Sequence, residues 1–152
     1  MQKVLNKLAN KTKTLTALPF KTKLLFIEAF FTSGWVKFCL TIFPFNRVMH
    51  WLGTTNTESS TEADDESLVL RRQLKAAIDL CRKYAPWRTE CYTMSLTGRI
   101  MLKRRKLPST LYVGFMKDEA GKYKGHAWLR ANDIYISGFK ESKGFTVNFR
   151  FS

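Results

Sequence analysis

Histidine is nearly absent from this 152-residue chain, cysteine is sparse, and basic side chains outnumber acidic ones 26 to 12. With two histidines, three cysteines and no cluster of carboxylates, a structural zinc or iron site would lack a ligand set, so no metal and no cofactor is expected. The cysteines stand as Phe38-Cys39-Leu40, Leu80-Cys81-Arg82 and Glu90-Cys91-Tyr92. An odd number without CxxC spacing argues against a disulfide framework and for reduced thiols in a cytoplasmic protein.

An uninterrupted membrane span is also missing. The stretch from Lys23 to Arg47 is apolar, but Glu28, Lys37 and Pro44 divide it into runs shorter than the ~20 residues a spanning helix needs. Its late start, its Glu and the lack of a small-residue cleavage site also exclude a signal peptide. A helical region packed on the main core is expected, and membrane contact is not.

What is abundant is positive charge, +14 in all. Residues 1–53 hold eight Lys/Arg against one acid, and residues 68–152 hold eighteen against six. Between them, 54–67 (TTNTESSTEADDES) holds five acids and no base. This polar segment is expected to be a linker or loop between an N-terminal helical region (1–53) and the main core (68–152). Lys103-Arg104-Arg105-Lys106 is the densest basic run, but its place at a helix end reads as a solvated C-terminus rather than a nucleic-acid site.

Leu70, Leu74, Ala77, Ile78 and Cys81 recur at spacings of three and four, which predicts a helix over 68–84, stopped by Pro86. Cys81 falls on its buried stripe, and Cys39 sits among Phe38, Leu40 and Ile42; both read as core residues. A second helix is predicted to start with Thr89 as N-cap and to run through Met94, Leu96, Ile100 and Met101. Cys91 then lies in the first turn, where free backbone N–H groups and the helix dipole favour a thiolate and one amide can face an oxyanion. From position alone, a half-buried cysteine near a cap fits equally well.

The remainder predicts an antiparallel meander of strands over 111–116, 123–131, 134–139 and 145–151. With Asn132-Asp133 as a two-residue hairpin loop, Ala131 pairs with Ile134, Leu129 with Ile136 and Ala127 with Gly138. His126, Trp128 and Arg130 then share the opposite face, which this register aims toward the Cys91 helix.

Trp87-Arg88-Thr89-Glu90-Cys91, Ser95-Leu96, Arg104-Arg105, Leu107-Pro108-Ser109, Val113-Gly114-Phe115, Gly125-His126-Ala127-Trp128-Leu129-Arg130 and Ser137-Gly138 together resemble the lasso-peptide leader peptidases. These are transglutaminase-like cysteine proteases related to the C-terminal half of the microcin-processing protein. The resemblance covers about 68–138 strongly and the helical region before it more weakly. It implies an α+β, papain-like or transglutaminase-like core with Cys on a helix N-terminus and His on an antiparallel sheet. It further implies removal of the leader from a ribosomally made precursor peptide, with Cys91 as nucleophile and His126 as base and then acid. A separate leader-recognition protein is expected as partner, docking on 18–51, with a lasso cyclase acting downstream; nucleic acid is not expected.

The chain departs from that family where the third catalytic residue belongs. An Asp commonly stands twelve residues after the His, and here the position is Gly138. Asp133 lies seven residues along the strand, on the order of 20 Å from His126 at ~3.3 Å per residue, and reads better as a turn former. Glu141 has the right parity if the strand reaches it, and Ser137 or a backbone carbonyl is a weaker orienter. Trp87 and Trp128 either line the cleft or pack, with packing the commoner role. Arg88 and Arg130 read as surface residues that a peptide could meet.

Overall fold

The computed structural model describes residues 18–44, 47–48 and 52–152. Helix α1 (Phe20–Ile42) turns Leu25, Ala29, Val36 and Cys39 inward, the three-to-four spacing of a single buried face. It is continuous through Glu28 and Lys37, which corrects the expectation that these charges divide the segment. Each charge finds a partner on the protein instead: Glu28 pairs with Arg104 and Arg105, and Lys37 with Glu90 at 2.9 Å. By length and composition alone the helix could cross a membrane, although its inner face is committed to the core.

Helix α2 (Asp65–Tyr84) begins three residues before the predicted start because Asp64 caps it, accepting from the Glu66 N–H. Asp65 and Glu66 lie in the first turn and Arg82 and Lys83 in the last, as the dipole favours. Ala85 is extended, as the residue before a proline should be, so the helix ends there. The predicted stripe holds for Leu74, Ala77, Ile78 and Cys81, all at most 1% exposed. Cys81 and Cys39 are both buried core thiols, and the Cys81 Sγ lies 3.1 Å from the Ser33 hydroxyl of α1.

Helix α3 (Cys91–Arg104) has Glu90, not Thr89, at its N-cap; the Thr89 hydroxyl donates to the Arg82 carbonyl instead. Its C-terminus closes with Leu107 N–H on Leu102 O and Lys106 N–H on Lys103 O, the paired bonds of a Schellman turn. Lys106 holds the left-handed position usually given to glycine, at φ 56°.

Four antiparallel strands follow: β1 (Thr110–Lys117), β2 (Tyr123–Ala131), β3 (Ile134–Ser137) and β4 (Thr146–Phe151). Their spatial order is β3-β2-β1-β4, so the sheet is not a meander; the last strand crosses back to pair with β1. The hairpin loop forms at Asn132-Asp133 and Ala131 does face Ile134, but a bulge beyond Arg130 then places Leu129 opposite Ser137 rather than Ile136. The bulge lets Ile136 remain fully buried while Ser137 is available to α3. Strand β3 ends at Ser137, and Gly138, at φ 73°, turns the chain into a 3-10 turn at Lys140–Ser142.

Helix α3 packs on the aliphatic face of this sheet: a Cβ on Gly98 would touch Leu129 and Ile136. The expected placement of the helix on the His126 face is therefore wrong. Burying Leu129, Ile136, Met101 and Leu102, each worth about 1.5–3 kcal/mol against exposure, decides which side the helix takes.

On the opposite face the acidic segment is strapped to the sheet. Thr55 bridges to Phe151, Ser59 bonds to Thr110, and the buried Arg130 donates to the carbonyls of Ser59, Ser60 and Asn132. Arg130 is thus an internal tie, contrary to its reading as a surface residue. Arg71 is likewise buried, held by Asp133 and by the carbonyls of Ala131 and Asp64.

Candidate active site

Cys91 and His126 line one cleft of about 380 Å³, together with Met94, Ser137, Gly138 and Glu141. The cysteine is the first residue of α3, half-buried, and the Glu90 side chain does not cap the helix. The amides of Cys91 and Tyr92 face the sulfur, and the Ala127 amide of β2 faces it too. Burial nevertheless pushes the thiol up, outweighing those amides, and the nearby Glu90 carboxylate adds to the rise. The helix terminus is expected to pull the thiol down; here desolvation outweighs it.

His126 is only 8% exposed, packed between Trp128 (ring centroids 5.8 Å) and Phe145 (5.1 Å). Its Nε2 lies 2.7 Å from the Gly138 carbonyl oxygen. A carbonyl can only accept, so Nε2 carries a proton, and a ring with one proton has its lone pair on Nδ1. The tautomer is thereby fixed by backbone. Gly138 can do this because it has no side chain: a Cβ there would stand 2.4 Å from the Ala127 carbonyl oxygen and 3.1 Å from Trp128 Cα, at a positive φ. A carboxylate at this position is incompatible with the backbone that the chain adopts.

Glu141 reaches the cleft by the 3-10 turn rather than by a continued strand. It is half exposed and pairs with Arg82 at 3.0 Å across the cleft rim, and its charge is felt at His126. Burial acts to raise its carboxyl, but its backbone and Arg82 contacts more than offset this and leave it lowered. Asp133 is not brought to the site: it sits at the hairpin loop, 2.9 Å from Arg71.

Trp87 packs on Phe30 at 4.7 Å and against Gly34, joining α1 to the segment before Cys91. Trp128 is buried between Tyr112 and His126 on the face away from α3. Neither lines the cleft. Arg88 is exposed.

Two contributors escaped sequence reasoning. The Ser95 hydroxyl meets Ser137 Oγ at 2.9 Å and the Ala127 carbonyl at 3.3 Å, clamping the Cys91 helix to the strand that carries His126. Arg82 joins the rim through Glu141. Ser95 was visible only as one residue of the resemblance, and the pairing of Arg82 with a residue 59 positions away has no local signal.

A helix-borne cysteine beside a strand-borne histidine of fixed tautomer is a thiol–imidazole arrangement suited to attack on a carbonyl. The chain belongs to the transglutaminase-like superfamily, whose sequence model matches residues 39–150. Membership suggests cysteine-protease or acyl-transferase-like chemistry. Comparison with curated proteins and with solved structures finds no match.

Proposed function

We propose that this protein is a cysteine peptidase that cuts the leader from a ribosomally synthesised lasso-peptide precursor. The observation that carries the catalytic part is the shared cleft of Cys91 and His126 with the imidazole tautomer set by Gly138. The substrate class comes from the resemblance of the motifs between Trp87 and Gly138. In this reading, His126 Nδ1 takes the proton from the Cys91 thiol as the sulfur attacks the scissile carbonyl carbon. The Cys91 backbone N–H is the candidate donor to the oxyanion. Collapse of the tetrahedral species passes the proton from Nδ1 to the leaving amine and leaves a thioester. His126 next deprotonates a water that attacks the thioester, and the acid product and the thiol are released.

The leader would be presented by a separate recognition protein, raising the effective concentration of the scissile bond at Cys91. A lasso cyclase would take the core onward, all in the cytoplasm. The test is incubation of the protein, its candidate partner and a cognate precursor, read by product mass. Leader and core with one added water support hydrolysis, and abolition by Cys91→Ala and by His126→Ala assigns the pair. A mass showing transfer to an amine, or deamidation, would give the related acyl-transfer reading instead. Cleavage that survives Cys91→Ala would refute both.

A further inference from the structure

Among the described residues, nothing covers the outer face of α1. Phe20, Leu24, Ile27, Phe31, Trp35, Phe38 and Ile42 recur at spacings of three and four and are 49–73% exposed. Together they leave on the order of 800 Å² of apolar surface in water, more than a monomer ordinarily shows. Beside this ridge runs a groove of about 570 Å³ whose floor includes Phe31, Trp35 and Ile100 and whose lip carries Lys103 and Arg104. The one acid in it, Glu28, is already neutralised by Arg104 and Arg105. Six lysines and no acid precede Glu28 in the sequence, among them the exposed Lys21.

We infer that this ridge and its basic margin dock the protein on an anionic lipid bilayer, with α1 lying in the plane of the interface. The expectation of no membrane contact is set aside here on charge and shape. A spanning orientation is excluded by the other face of α1, where Thr22, Thr32 and Ser33 are buried against the protein. A second copy would bring +14 against +14. The ridge follows a helix of 23 residues, about 34 Å at 1.5 Å per residue, and such a helix face suits an interface that demands depth rather than a matching pocket. Apolar residues on one side with lysines at the margin form the pattern by which helices settle between headgroups and acyl chains.

The full chain should co-sediment with vesicles of phosphatidylcholine containing phosphatidylglycerol, bind pure phosphatidylcholine much less, and lose binding as salt rises. Brominated lipid should quench its tryptophan fluorescence, and Trp35→Phe should remove most of that quenching. Phe31→Ser combined with Trp35→Ser should lower partitioning more than tenfold, and Lys21→Gln about fivefold. Circular dichroism and alkylation of Cys91, which lies outside the ridge, check that the variants fold. The inference falls if the chain does not partition, or if partitioning ignores the apolar pair and follows charge alone. It also falls if the ridge variants instead split a dimer or release a protein partner while vesicle binding is absent.

Discussion

Gly138→Ala tests the unusual part of the candidate site, because it leaves Cys91 and His126 in place and disturbs only what holds the imidazole. A methyl group there would sit 2.4 Å from the Ala127 carbonyl oxygen, a backbone atom that cannot rotate away. Residue 138 would also have to keep φ at 73°, where an L side chain costs about 1–2 kcal/mol. The chain must therefore shift, and the carbonyl that lies 2.7 Å from Nε2 shifts with it. Stability should fall by about 2–3 kcal/mol, a left-handed strain plus a tight contact. Turnover should fall by about 10–100-fold, part of the 10²–10⁴ that a positioned base supplies.

The assay is kcat on the cognate precursor, measured well below the melting temperature and corrected for the folded fraction by urea titration. Imidazole NMR adds a readout that mere destabilisation would not move: the Nε2-H resonance should change shift or broaden. Full kcat in a folded Gly138→Ala protein with an unchanged Nε2-H signal would refute the assignment of Gly138 as the positioning residue.

Other outcomes follow from the same contacts. Because burial raises the Cys91 thiol, iodoacetamide should alkylate it slowly at pH 6 to 7 and faster only as pH rises through and beyond the ordinary thiol range of ~8.5; rapid labelling at pH 6 would show a preformed thiolate. Glu141→Gln should change turnover by only a few-fold, since Nε2 is held by Gly138, whereas Asp133→Asn should leave turnover alone and cost about 1–3 kcal/mol by weakening the partner of buried Arg71, read as a shift in urea midpoint. The Glu28 carboxyl is lowered, burial raising it but the Arg105 and Arg104 bonds prevailing. Its folded-state value is thus below its unfolded one, so its contribution is full above the ordinary carboxylate range and lost as pH falls through the depressed value. Glu28→Gln should accordingly flatten the acid limb of stability between about pH 5 and 2.

Much of the fold was legible because it rests on local patterns. The stripe through Leu74, Ala77, Ile78 and Cys81 and the Asn132-Asp133 loop are short-range signals, and both appear in place. What failed involved long-range competition. The choice of sheet face for α3 depended on which set of side chains the helix would desolvate, and Leu129 and Ile136 prevailed over His126 and Trp128. The bulge beyond Arg130 and the return of β4 to β1 are likewise settled by packing across the whole sheet. Three arginines, Arg71, Arg99 and Arg130, are buried with backbone carbonyls as acceptors, a fate that a charged residue does not announce in sequence.

The site itself was half legible for a related reason. A helix start and a strand are local, so Cys91 and His126 could be named, but the group that orients an imidazole need not be a side chain. A carboxylate acceptor would fix the ring and also stabilise an imidazolium by its charge; the Gly138 carbonyl fixes the ring and offers only a dipole. The burial of the Cys91 thiol also opposes its ionisation. Proton transfer then belongs to the attack step, and a bound peptide that excludes water and presents its carbonyl to the uncapped α3 amides would be what triggers it. The half-exposed Glu141, tied to Arg82 at the rim, leaves one negative charge near enough to His126 to support the cation once it forms. On this account, replacing Arg82 by Met should affect kcat more than KM, because it alters the charge felt by a transient imidazolium and not the fit of the peptide; an effect confined to KM would place Arg82 in substrate binding instead.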